Sequence, residues 1–225
     1  MKKLNIAPVR KNEMMKVMLM SSLLSLLLLL FRIFFTGNVS FIFLGWNLFL
    51  AWLPLIFASF LSEIRSYSSK RWPPIFVFGA WLVFFPNSPY IITDLFHLWK
   101  RPGMPLWFDL FLLISFAWNG LLLGFISLLA VQEWLNQNFK KSRSWAFVVL
   151  LMFLCGYGVY LGRFERWNSW DVLTHGKDLF GNIFAELVHP LSNPRMLGVT
   201  LVFGTFLLLG YLTLRALTNI RGDEK

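Results

Sequence analysis

Asp94 and His97 stand three residues apart in FFPNSPYIITDLFHLW, Phe84 to Trp99, a stretch otherwise rich in apolar and aromatic side chains. A carboxylate one helical turn from an imidazole can orient the ring, join it on a metal or exchange a proton with it. Tyr90, Thr93, Asp94, His97 and Arg101 recur at spacings of three and four, which predicts one side of a helix. Pro86 and Pro89 bracket Asn87 and Ser88 just ahead of them. Each proline lacks an N–H and clashes with the preceding turn, so no continuous helix is expected through them. Ser88 before Pro89 reads as an N-cap with proline at the first helical position. A helix restarting there aims its positive end inward, a ready anion site. Asn87, Ser88, Tyr90 and Thr93 are therefore candidate substrate-binding residues, and Asp94 and His97 candidate catalytic ones. The plainer alternative is that Asp94 only orients His97 within a satisfied cap network.

A second polar cluster is GRFERWNSWDVLTH, Gly162 to His175. Arg163 and Arg166 share a helical side and suit a bidentate clamp on phosphate or carboxylate. Asn168 is placed to cap a short helix with Asp171 three residues on, and Gly176 to end it. Asn168 thus joins the binding candidates and Asp171 the acid–base candidates. The competing reading makes the arginines interfacial anchors and Trp167 and Trp170 aromatic-belt residues. Asp109 and Arg32, near the same ends of their spans, are placed to complete the network. The three histidines, His97, His175 and His189, each have a carboxylate at helical spacing, namely Asp94, Asp171 and Glu186. Such pairs suit zinc or a carboxylate-oriented base, but without an HExxH pattern neither a metal nor a cofactor is identified. No P-loop, nucleophile elbow, dinucleotide fingerprint or cysteine metal pattern is present.

The composition sets what positions these residues. Of 225 residues, 57% are hydrophobic and 14% charged, and the mean hydropathy is +0.61. Soluble domains carry nearer a quarter charged residues, so the chain reads as an all-α, polytopic membrane helix bundle. Hydrocarbon about 30 Å thick takes roughly 20 apolar residues per helix. On that ruler six spans fall near 17–35, 40–61, 74–99, 106–131, 144–162 and 196–215, the third one broken, in a single domain. The basic stretch before residue 17 and the run Leu23–Leu30 resemble a signal peptide, but FRIFFTGNVS lacks a cleavage pattern, so the first helix is expected to stay. The net charge of +10 lies mostly in short loops beside the spans, which argues for orientation by charge and not for nucleic acid. Lys and Arg alternate so that both termini fall in the cytoplasm and both polar clusters outside. DLFGNIFAELV reads as an amphipathic helix flat in the outer interface. Gly120/Gly124 and Gly158/Gly162 match small-residue packing pairs, and Asn47 and Asn119 are expected in interhelical hydrogen bonds. Cys155, the single cysteine, excludes an intrachain disulfide.

FPNSPYIITDLFHL and LGRFERWNSWD together resemble a family of bacterial multi-span membrane proteins, catalogued as domain of unknown function number thirteen sixty-one. The similarity runs from the second span to the sixth. Pro86, Asn87, Pro89, Tyr90, Thr93, Asp94 and His97 match its first motif. Gly162, Arg163, Arg166, Trp167, Asn168, Ser169, Trp170 and Asp171 match the second, and Ser88 departs from an expected alanine. The resemblance implies a protein of the bacterial cytoplasmic membrane and brings no activity with it. Chemistry alone then offers three functions. The first is an enzyme acting at the outer face on an anionic lipid or lipid-linked substrate. The others are a transporter or ligand-binding protein, and a structural subunit whose ionic network fixes the fold.

Overall fold

The computed structural model describes residues 8–67, 72–99, 103–167 and 171–220. These contain α1 (Pro8–Thr36), α2 (Phe43–Tyr67), α3 (Trp72–Phe84), α4 (Asn87–Tyr90), a 3-10 segment (Ile91–His97), α5 (Leu106–Asn138) and α6 (Lys141–Arg163). Then follow α7 (Asp171–Thr174), α8 (Gly176–Val188), a short 3-10 turn (Pro190–Ser192) and α9 (Pro194–Ile220). Among the described residues, six helical stretches are long and apolar enough to cross a membrane, the third being Trp72–His97 with its break. The chain is a polytopic helical bundle, as the apolar runs predict. Helices overrun some of those runs: α1 starts at Pro8 and α5 continues to Asn138. Charged turns extend a helix beyond hydrocarbon without breaking it, as Lys16 does while paired to Glu13 at 2.9 Å.

The axis of the bundle is α5. Its apolar stretch is 61% buried, against 17% for α9 at the edge. One core, around Phe41, Leu44, Leu112, Phe116 and Leu123, joins α1 and α2 to α5. The other, around Trp81, Phe85, Phe125, Met152 and Tyr211, joins α3, α5, α6 and α9. Apolar side chains such as Met20, Phe34 and Val202 point outward, where a bilayer is the natural solvent. Asn119 donates to Ser21 O at 3.2 Å and to Ser25 Oγ at 3.0 Å, tying α5 to α1. Gly37, in the left-handed region at φ 63°, ends α1 by donating its N–H to Ile33 O at 2.8 Å.

Both glycine pairs serve the broken third span. On α5, a Cβ at Gly120 would collide with the Ser88 carbonyl, and one at Gly124 would lie 3.1 Å from Ser88 Cβ. On α6, a Cβ at Gly158 would come within 2.9 Å of Pro86, and one at Gly162 within 3.1 Å of the Tyr90 ring. The Pro86–Tyr90 turn is thus gripped from two sides by backbone that only glycine brings close enough. Its own N–H groups stay bonded, Ser88 N to Phe85 O at 3.2 Å and Tyr90 N to Pro86 O at 3.1 Å. Gly120→Ala is expected to lower stability by about 1–3 kcal/mol through overpacking. Gly79→Ala, where a Cβ meets nothing within 4 Å, should not. Equal melting temperatures for the two variants in detergent would remove the grip.

Candidate functional site

Several contacts bring one end of the bundle together. His97, at the end of the third span, packs with its ring tilted against Phe43 at the start of α2 (5.1 Å between centroids) and lies 3.4 Å from Arg163 at the end of α6. Arg32, near the end of α1, meets Asp109 at the start of α5 at 2.7 Å. The two polar motifs therefore share an end of the molecule and touch there.

The restart is not the one expected. Pro86 takes the cap position with right-handed helical angles (φ −60°, ψ −23°) and gives no side-chain cap bond. Because the backbone never leaves the helical region, Ser88 lies inside α4 and has no capping geometry. Its hydroxyl donates to Ala51 O at 3.0 Å, and the side chain is fully buried against α5. The N-cap expected at Ser88 does not form. After Tyr90 the winding tightens to 3-10. At three residues per turn Asp94 and His97 superpose, while Thr93 rotates off their ridge. Thr93 is buried, donating from Oγ1 to Tyr90 O at 2.7 Å, and does not share the expected face.

What remains forms the wall of a cavity of about 370 Å³, within the range of ligand sites. The broken span contributes Pro86, Asn87, Tyr90, Asp94 and His97, and α6 with its following turn contributes Gly162, Arg163 and Trp167. Asn87 Nδ2 donates to Phe84 O at 3.0 Å, which fixes the amide at the wall. Asp94 is 1% exposed, and Asn47 Nδ2 donates to its Oδ2 at 2.8 Å. Arg163 stands within electrostatic reach of that carboxylate. Arg163 Nη2 also faces His97 Nδ1 at 3.4 Å, and since a guanidinium only donates, a hydrogen bond between them takes Nδ1 as its acceptor. Phe96 lies under Arg163 at 5.6 Å. A carboxylate, an imidazole and a guanidinium thus converge on one space, the groups needed to hold an anion and move a proton beside it.

Other expected members lie elsewhere. Arg166 is exposed on a left-handed turn (φ 63°) and does not line the cavity. Asp171 opens α7, where it accepts from Thr174 Oγ1 at 3.3 Å and faces His175 Nδ1 at 3.5 Å; the cavity takes its neighbour Val172 instead. Asn168, like Arg101 and Trp170, lies outside the described residues. Gly176 begins α8 and does not end α7. Glu186 is not the partner of His189: it accepts from Tyr157 at 2.6 Å and from Asn193 at 3.0 Å, tying α8 to α6 and α9. Arg32 and Asp109, instead of completing the network, are buried in each other's grip.

Sequence reading missed Asn47 as a member of the site. The signal is in α2, where Phe43, Trp46, Asn47 and Leu50 fall at helical spacing and all line the cavity. An amide within an aromatic stripe marks a face that meets something polar. Among the described residues no cluster of three potential metal ligands exists. A family model, described as protein of unknown function (DUF1361), matches residues 46–209 and so takes in both motifs. No curated protein and no solved structure matches the chain.

Proposed function

The chain belongs to the DUF1361 family, and we propose that it is a single-domain enzyme of the bacterial cytoplasmic membrane acting at the outer face on an anionic lipid or lipid-linked substrate. The observation that carries this reading is the single cavity where Asn47, Asp94 and His97 meet Arg163. Arg163 is the anchor for phosphate or carboxylate, because its planar fork matches those groups. An anion that draws Arg163 away uncovers the lone pair on His97 Nδ1. Binding then prepares the base, and the Asp94 carboxylate on the same ridge favours the imidazolium that follows. The reaction class is hydrolysis or group transfer. The buried charged side chains among the described residues, Arg32, Asp94 and Asp109, all lie at this end, and Asn119, deeper in the bundle, is spent on Ser21 and Ser25. That favours a one-sided site over a transport path.

Native mass spectrometry of the purified protein with its retained lipids tests the anchor. Wild type is expected to keep an anionic lipid that Arg163→Gln loses by roughly 10–100-fold, the worth of a charge-assisted hydrogen bond of about 1.5–3 kcal/mol. Equal retention would take Arg163 out of the site.

Orientation rests on the alternation of Lys and Arg. In a Cys155→Ser background, Lys177→Cys in the exposed start of α8 should react with an impermeant thiol reagent on intact cells. Lys141→Cys, at the exposed start of α6, should react only after lysis. The reverse pattern would put the site on the cytoplasmic side.

A further inference from the structure

Part of the cavity wall is apolar. Trp46, Leu50, Val83 and Leu161 belong to it, and all four lie on membrane-crossing helices. Trp46 is 54% and Val83 37% exposed, so the cavity wall reaches the outer surface of the bundle within the spans. The two walls, α2 and α6, each pack on α4 and barely touch each other among the described residues. The space between them is a cleft floored by the broken span. Its exposed side chains Trp46 and Val83 lie on spanning helices, where the surroundings of a membrane protein are lipid chains. From Leu50 to Phe43, α2 runs two turns, about 10 Å, from apolar wall to the ring beside His97.

We infer that the cleft between α2 and α6 is a lateral portal through which a membrane lipid seats an acyl chain along Leu50, Val83 and Leu161 while its anionic head reaches Arg163. This rests on the proposed reading of the same cavity and names its ligand: a lipid with its chain, drawn from the bilayer plane, and not a soluble anion. A water-borne anion has no use for the apolar half. Moving a chain from bilayer into the cleft gains little, since lipid is as apolar as the wall. Affinity therefore resides in the head group, and the cleft selects by shape.

The test uses the full-length protein in nanodiscs with two probes, a phosphatidylglycerol carrying a diazirine on one acyl chain and glycerol phosphate. Photolysis of wild type is expected to label peptides containing Trp46, Leu50, Val83 or Leu161 above those of the lipid-facing sides of α1 and α9. Filling the cleft with Leu161→Trp should abolish that labelling while glycerol phosphate, which needs only the head end, still binds. Arg163→Gln should lose both. Labelling spread evenly over all lipid-facing helices in wild type overturns the portal, and this map does not depend on any variant folding. Glycerol phosphate binding without labelling in the cleft overturns the portal and leaves the anion site standing. A wild-type protein that binds neither probe removes both.

Discussion

Asp94→Asn is expected to yield a folded protein whose turnover has fallen about 10²–10⁴-fold, the usual loss for an acid–base group. The substitution keeps the size of the side chain and an oxygen for Asn47 Nδ2, so the 2.8 Å bond between α2 and the broken span can persist. What it removes is the charge beside His97 and Arg163. His97→Gln should lose turnover by a similar factor, since it deletes the ring nitrogen that Arg163 covers. Asp171→Asn is the contrast: Asp171 does not line the cavity, and turnover should survive its substitution. Conversion of anionic lipids would be followed by mass spectrometry in proteoliposomes made from a bacterial lipid extract, with melting temperature taken on the same preparations. If Asp94 serves only to balance Arg163, its variant will instead melt early, because breaking a buried pair can cost about 3–5 kcal/mol. A stable, fully active Asp94→Asn protein would take this residue out of any mechanism, and the enzyme reading with it.

The six spans were legible because a bilayer demands a long apolar run from every helix that crosses it. The break in the third was legible from Pro86 and Pro89 for an equally local reason, the missing N–H. What local rules could not supply was how the break is held. A serine before a proline reads as a cap in isolation. Here Gly120 and Gly124 let α5 approach so closely that Ser88 is absorbed into the interior and its hydroxyl spent on Ala51. The face of the restarted helix suffered likewise. Spacing of three and four assumes α-helical winding, and the 3-10 segment keeps Asp94 with His97 while turning Thr93 away. Partners distant in sequence were beyond reach altogether. Asn47 finds Asp94 across 47 residues, and Glu186 prefers Tyr157 on another helix to His189 just past the end of its own. Residue types pointed to candidate groups, but only packing decided which of them share a cavity.

The largest effect on stability is expected away from that cavity, at Arg32 and Asp109. Their bond pairs Nε with Oδ1 at 2.7 Å and Nη2 with Oδ2 at 3.2 Å, and both side chains are 1% exposed. Arg32 also lies 4.4 Å over the Phe41 ring, while its Nη1 has no hydrogen-bond partner. Removing one member leaves the other charge buried and uncompensated, so Asp109→Ala should destabilise the bundle by about 3–5 kcal/mol. Removing both tells a different story. Two well-packed apolar residues in place of a buried ion pair are often neutral or stabilising by about 1–4 kcal/mol, so Arg32→Met with Asp109→Leu should recover most of the loss. The double-mutant cycle should then give a coupling within about 0.5–3 kcal/mol, at its upper end. Neither residue lines the cavity, so the double variant should also keep its anionic lipid and its turnover. Wild-type melting in Asp109→Ala would show that the pair holds nothing. A stable double variant that has lost lipid or turnover would return Arg32 and Asp109 to the site, as their position near the same ends of the spans first suggested.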